Sequence, residues 1–144
     1  MVDLRKLLQL SARETWLLAQ AAVLLPTVRL ALRFITVAQA QSVVERALRP
    51  QRPRQISPQA IARMVHIAAH RCLYRCKCLD QSLVLGWLLR RQGIDARIVF
   101  GARKEDNQME AHAWVEVEGV AIGEDDGEHQ RFLPIEQQGA SINI

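Results

Sequence analysis

The chain has 144 residues, of which 49% are hydrophobic and 24% charged, and its formal net charge is +4. This length suits one domain with a core of its own, and the composition excludes a disordered or collagenous chain. The charge is unevenly placed: residues 1–104 hold 18 basic and five acidic residues, whereas residues 105–144 hold one basic and ten acidic residues. A functional hypothesis must explain these two opposite fields.

The first third of the chain predicts two helices. Apolar residues recur at helical spacing over 3–20 and again over 27–48, and Pro26 predicts a break or a kink between them. A basic linker with two prolines follows at 49–55. The N-terminal part therefore predicts a helical unit.

Two more helices are predicted before the pattern changes. Ser57 and Pro58 suit an N-cap and a first helical position, and an apolar face continues to about residue 72. The segment 79–92 is apolar around most of its circumference, which is typical of a helix at the centre of a domain. Gly93 follows it and suits a left-handed C-terminal cap.

Alternating apolar and polar residues then predict short antiparallel strands at 96–102, 111–117, 120–123 and 131–135. Glu118 and Gly119 predict a tight turn, and Pro134 restricts the last strand to a sheet edge. Helices followed by a small antiparallel sheet indicate an α+β fold, and we expect a single domain over 1–144.

The sequence predicts a cytoplasmic protein. Its longest apolar run, 16–28, is shorter than the roughly 20 residues that cross a bilayer, so no membrane span is expected. No short apolar run is followed by a small-residue cleavage site, so no signal peptide is predicted. The three cysteines, at 72, 76 and 78, are too closely spaced for a disulfide framework, and we expect reduced thiols.

Cys78 lies immediately before the predicted central helix. The positive end of a helix dipole and its unpaired N–H groups stabilise negative charge, and Arg75 and Lys77 add positive charge nearby. A single cysteine is more often a small buried hydrophobe. By itself, Cys78 therefore fits both a reactive thiol and a core residue.

His112 favours the reactive thiol. It lies on the predicted strand 111–117 with Trp114 on the same face, whereas Ala113 and the other small apolar residues face the helices. A cysteine at a helix start and a histidine on a following strand form the nucleophile and base of cysteine acyl-transfer enzymes. The alternative is a packed histidine–tryptophan pair.

A histidine base needs a carboxylate that fixes its tautomer, and two candidates follow the hairpin. A three-residue turn places Glu124 opposite His112, whereas a two-residue turn places Asp125 there, because a slip of one residue exchanges the faces of a strand. Both carboxylates remain candidates on this argument. The alternative is that residues 124–126 only form a solvated acidic turn.

Three segments in order resemble one family. They read Cys78-Leu-Asp-Gln-Ser-Leu-Val-Leu, Gly93-Ile-Asp-Ala-Arg-Ile-Val-Phe-Gly and Ala111-His-Ala-Trp-Val-Glu-Val-Glu-Gly. The chain resembles the lasso-peptide leader peptidases, the protease component of the lasso B protein, which have a transglutaminase-like, papain-related core. The resemblance covers about 57–136 as the cysteine-peptidase core, and the helical part at 1–48 suits the stand-alone protease form.

This resemblance implies a function and a site. It implies Cys78 as nucleophile, His112 as general base and acid, and Glu124 as third member, at a position where the family often has aspartate. The implied activity removes the leader from a ribosomally made precursor peptide before a separate cyclase closes the macrolactam. A small leader-binding protein, the recognition element of such pathways, is implied as partner. Neither a cofactor nor a metal ion is expected.

Three alternatives differ in class. Two histidines and three cysteines in the basic segment 63–78 suggest a zinc site, although their spacing fits no standard pattern; they are His66, His70, Cys72, Cys76 and Cys78. The arginines of 46–75 suggest a nucleic-acid-binding module, but the chain has few aromatics for base stacking and one tyrosine. A transglutaminase-like acyltransferase would use the same triad.

Some arginines are too far along the chain from Cys78 and His112 to belong to the predicted site by sequence alone, namely those at 29, 33, 46, 49, 52 and 54. We expect them to face an acidic partner or an acidic leader, since opposite charges steer association and weaken with salt.

Overall fold

Four helices precede a four-stranded antiparallel sheet in the part of the chain that the computed structural model describes, residues 9–47 and 56–135. The helices are α1 (Ala12–Ala31), α2 (Val37–Arg46), α3 (Pro58–Arg71) and α4 (Cys78–Arg91). The strands are β1 (Ala96–Glu105), β2 (Gln108–Val117), β3 (Val120–Ile122) and β4 (Leu133–Pro134), with a 3-10 helix (Asp125–Arg131) between the last two. The predicted α+β fold is confirmed.

The first helix differs from the prediction. Pro26 lies inside α1 and does not end it, so the predicted break is wrong. Proline in a helix interior costs about 3 kcal/mol. Burying a leucine side chain contributes about 1.5–3 kcal/mol, and both Leu17 and Leu25 are fully buried on this helix. Val28, which follows Pro26, is partly buried against the same core, so packing on both sides of the proline offsets its cost.

The second helix begins ten residues later than predicted, at Val37 instead of position 27. α1 ends at Ala31, and Thr36 begins α2 as its N-cap. The Thr36 N–H donates to the Gln39 side chain at 2.9 Å, and the Gln39 N–H donates to the Thr36 hydroxyl at 3.2 Å. This capping box marks a helix start that apolar periodicity alone does not reveal. Residues 3–8 and 48 of the predicted helices, and the predicted linker 49–55, lie outside the described residues.

The next two helices follow the prediction closely. The Ser57 hydroxyl accepts the Ala60 N–H at 3.2 Å, with Pro58 in the first turn of α3. Helix α4 is buried along most of its length and contacts the other three helices as well as β1 and β2. Gly93 follows with φ 77°, the left-handed conformation expected of this cap. The helix that begins with Cys78 is therefore the centre of the domain.

The sheet has the order β3-β2-β1-β4. Glu118 and Gly119 form the predicted turn between β2 and β3, with Val117 paired to Val120. β4 lies at an edge beside β1, as Pro134 predicts. On one face of β2, Ala113, Val115 and Val117 are buried, and the two valines belong to the core formed with the helices; Ala111, on the same face, is exposed. None of the helices in the described ranges is long and apolar enough to cross a membrane.

Helix α1 begins at a second capping box, which Arg63 links to α3. The Ser11 N–H donates to the Glu14 carboxylate at 3.0 Å, and the Ser11 hydroxyl accepts the Glu14 N–H at 3.3 Å. Arg63 pairs with the same carboxylate at 2.8 Å. The Ser11 backbone and hydroxyl, and then Arg63, lower the pKa of Glu14 below its ordinary value of 4.5.

Glu14→Gln is expected to lower the free energy of unfolding at pH 7 by under about 1 kcal/mol, because glutamine keeps the capping box but loses a largely solvated ion pair. A lowered folded-state pKa stabilises the fold above the unfolded value and loses that contribution as pH falls through the folded value. Urea unfolding should therefore show the difference between the two proteins shrinking as the pH falls below 4.5. A difference in the free energy of unfolding that is equal at every pH would contradict an origin in the Glu14 pKa. Arg63→Gln should show the same kind of pH dependence in its free energy of unfolding.

Candidate active site

The start of α4 lies against an open edge of β2. β3 pairs with β2 no further than Val115, so the outer edge of β2 has no strand partner at Ala113. Backbone polar groups of alternate residues point to the same edge, and the Ala113 carbonyl therefore points outward. The Ser82 hydroxyl donates to this carbonyl oxygen at 2.8 Å, in a buried contact. α4 thus replaces the missing strand at this point.

This contact places the helix that begins with Cys78 beside the strand that carries His112. Cys78 is the first residue of α4 and lies one turn before Ser82, hence on the same face of the helix. His112 is the neighbour of Ala113 on β2. The Cys78 side chain is half-buried, and its backbone N–H belongs to the first helical turn, where N–H groups lack helical partners.

The structure pairs His112 with Glu124. The His112 Nε2 atom lies 3.2 Å from Oε1 and 3.1 Å from Oε2 of the Glu124 carboxylate. Both side chains are 14% exposed, so the pair is largely shielded from water. With the Nε2–H donating to the carboxylate, Nδ1 is the nitrogen left to exchange a proton with another group.

The two-residue turn is present, yet Glu124 makes the contact. Extending the β2–β3 register from Val117 and Val120 would place Asp125 opposite His112. The ladder stops at Ile122 instead, and Gly123 turns the chain with φ 75°. The alternation of faces is broken at that residue, and Glu124 therefore reaches His112.

Two aromatic rings enclose the histidine. The His112 ring lies 5.0 Å from Phe132 and 5.9 Å from Trp114 between ring centroids. Gly101 pairs with His112 on the neighbouring strand. A Cβ atom at Gly101 would lie 2.7 Å from the Trp114 ring and 2.8 Å from the Phe132 Cβ, so only glycine leaves room for these rings.

Asp80 anchors the start of α4, a role that the sequence analysis missed. It is fully buried, and its Oδ2 accepts the Lys77 N–H at 3.1 Å. The Arg29 guanidinium of α1 lies 3.8 Å from the same oxygen. The sequence does contain a signal for this role. Asp80 lies three positions after Lys77, which precedes the helix, and this is the spacing of the acidic residue in a capping box.

Comparison with known proteins shows the family. Residues 21–137 match the family model of the transglutaminase-like superfamily. The chain belongs to this superfamily. No curated protein and no solved structure matches it. Transglutaminase-like proteins are cysteine peptidases and acyltransferases, and the match contains both the thiol-bearing helix and the His112–Glu124 pair.

Cys72 and Cys76 lie in the segment that precedes Cys78. Burial raises the pKa of Cys72 to about 11, and the neighbouring Cys76 and Asp80 add to the effect. Burial likewise raises the pKa of Tyr74, whose hydroxyl is enclosed. Cys72 therefore stays protonated at neutral pH, which makes it a poor nucleophile.

The zinc hypothesis has no geometric support in the described ranges. The rings of His66 and His70, one turn apart on α3, have centroids 5.6 Å apart and are tilted by 58° to each other. No group of three or more histidine, cysteine or acidic side chains within 9–47 and 56–135 could hold a metal ion.

Proposed function

We propose that this chain is a cysteine peptidase that removes the leader from a ribosomally synthesised lasso-peptide precursor before macrolactam formation. The observation that carries the proposal is the shielded His112–Glu124 pair at the β2 edge against which the helix of Cys78 lies. Membership of the transglutaminase-like superfamily supports acyl chemistry on a thiol. The proposed substrate rests on the three segments that resemble the leader peptidases.

The proposed reaction passes through a thioester. Nδ1 of His112 takes the proton of the Cys78 thiol, and the thiolate attacks the carbonyl carbon at the leader–core junction. His112 then gives that proton to the leaving amine of the core, and the leader stays bound to sulfur as an acyl-enzyme. Water attacks the thioester, His112 takes its proton and returns it to the thiol, and the leader leaves as an acid. Glu124 stabilises the imidazolium formed in each half-reaction.

The first turn of α4 supplies the proposed oxyanion donor. The tetrahedral intermediate places negative charge on the former carbonyl oxygen, and a helix N-terminus offers unpaired N–H groups and a favourable dipole. The Cys78 N–H is the donor closest in sequence to the sulfur. The Lys77 N–H is already bound to Asp80, so it is not free for this role.

The proposed partners follow from the same resemblance. A small leader-binding protein delivers the precursor, and a separate cyclase closes the macrolactam after cleavage. The chain by itself should therefore be a weak protease. We place this activity in the cytoplasm, which agrees with three free cysteines among the described residues.

Acyl transfer to an amine is the second candidate, because the superfamily includes acyltransferases. It shares the acyl-enzyme and differs in the last step, where an amine replaces water and forms an amide. A single experiment separates the two by the mass of the product.

The test is incubation of the chain with a candidate precursor and its leader-binding protein, followed by mass spectrometry. Hydrolysis gives a leader and a core whose masses together equal that of the precursor plus one water. A primary amine added in excess should leave the leader's mass unchanged; a leader heavier by that amine would assign acyl transfer. An intact precursor in the presence of both proteins would contradict the proposal. Chain alkylated at Cys78 is the control.

A further inference from the structure

A cavity of about 400 Å³ lies between the C-terminal end of α1 and the segment that leads into α4. Residues of α1 and the turn after it form most of its wall, and Tyr74 supplies the rest; the lining residues are Pro26, Arg29, Leu30, Leu32, Arg33 and Tyr74. The lining thus combines two guanidinium groups with apolar surface.

The cavity carries an excess of positive charge. Arg29 is partly compensated by the Asp80 carboxylate at 3.8 Å. Arg33 is exposed and has no ion-pair partner within residues 9–47 and 56–135. Two guanidinium groups and one carboxylate leave one unmatched positive charge, which suits a single carboxylate better than a doubly charged phosphate.

The cavity adjoins the start of the thiol-bearing helix. Tyr74 lies four residues before Cys78, and Asp80, which contacts Arg29, lies two residues after it. An extended peptide spans about 3.3 Å per residue, so a chain whose carbonyl reaches Cys78 can place a nearby side chain at this cavity. The apolar wall, including Leu30, which is 58% exposed, would cover the methylene groups of such a side chain.

We propose that this cavity binds a glutamate or aspartate side chain of the leader, a few residues before the bond that Cys78 attacks. The inference rests on the proposed function, since it assigns a specificity site to the same peptidase. The leader is the expected occupant, because it is the part of the precursor that is recognised and that stays bound to Cys78 in the acyl-enzyme. Arginine pairs with carboxylates through two parallel hydrogen bonds, which gives directional selection as well as charge.

Matched covalent probes test this assignment without knowledge of the precursor. The probes are four-residue peptide vinyl sulfones that have glutamate at one of the four positions and alanine at the others. Each is paired with a probe of the same shape that has glutamine in place of glutamate. The Cys78 thiol adds across the vinyl group, and intact-mass spectrometry gives the rate. At one position or more, the glutamate probe should react about tenfold faster than its glutamine partner, as expected of one charge-assisted contact. The preference should shrink in 1 M salt.

Arg33→Gln is the decisive variant because Arg33, unlike Arg29, has no described bond to the anchor of α4. It should lose the glutamate preference while its labelling by plain iodoacetamide stays unchanged. Arg13→Gln, at the other end of the same helix, is the matched control and should keep the preference.

Two failures have different meanings. Reaction at Cys78 with equal rates for glutamate and glutamine probes at all four positions would overturn the carboxylate site and leave the peptidase intact. A preference that survives in Arg33→Gln would also overturn it. No reaction at Cys78 with any probe or with iodoacetamide would overturn the nucleophile assignment, and the leader site with it.

Discussion

Cys78→Ala is expected to abolish leader removal, with a loss in kcat on the order of 10⁶, the scale seen when a covalent nucleophile is deleted. The physical reason is that no acyl-enzyme forms without the sulfur at the start of α4. The measurement is single-turnover cleavage of a precursor in the presence of its leader-binding protein. Because Cys78 is only half-buried, alanine should leave the fold intact, and an unchanged melting temperature checks this.

The neighbouring cysteines are the matched controls. Cys72→Ala and Cys76→Ala are expected to keep cleavage within a few-fold of the unsubstituted chain. Cys72 in particular stays protonated, because its burial raises its pKa to about 11. Equal loss of cleavage from all three substitutions would point to structural damage. Loss confined to Cys76→Ala would show that Cys76, and not Cys78, is the nucleophile.

Local signals explain why much of the fold was predictable. Ser57 and Pro58 begin a helix by capping and fixed geometry, Gly93 ends one by its left-handed conformation, and the Glu118–Gly119 turn closes the hairpin. Each of these features depends on one or two residues and their immediate neighbours. Sequence reasoning is most successful where the stabilising group and the stabilised group are adjacent in the chain.

The misplaced features depend on contacts between distant residues. Pro26 signals a break, but Leu25 before it is buried and Val28 after it packs against the core, which keeps α1 continuous. Gly123 takes the chain out of the sheet where a Cβ atom would lie 2.9 Å from the Ala62 Cβ on α3. That approach belongs to tertiary packing, so a register argument confined to the hairpin could not include it.

The candidate site shows the same division. Cys78 and His112 were selected by residue type and element boundary, which are local properties. Asp80 and Ser82 were missed because their roles depend on Arg29 and on the Ala113 carbonyl, which are distant in sequence. The site accounts for part of the opposite charge of the two halves of the chain. The acidic half contains Glu124, and the basic half contains the helix of Cys78 and the cavity at α1.

Glu124→Gln is expected to lower the cleavage rate by up to about 10⁴-fold, the loss seen when an amide replaces a triad carboxylate. The amide oxygen can still accept the Nε2–H of His112, but it carries no charge to stabilise the imidazolium. The loss should remain smaller than that of Cys78→Ala, and His112→Ala, which removes the base itself, should approach the Cys78→Ala limit. Single-turnover rates at saturating precursor compare these three variants.

Asp125→Asn decides between the two carboxylates. The simple two-residue register places position 125 opposite His112, whereas the turn at Gly123 brings Glu124 to 3.1 Å from Nε2. We therefore expect Asp125→Asn to cleave at close to the unsubstituted rate. Glu124→Asp, which keeps the charge but shortens the side chain by one methylene group, should retain more activity than Glu124→Gln. A larger loss from Asp125→Asn than from Glu124→Gln would show that the third member is Asp125 and that the His112–Glu124 pair is only a structural contact.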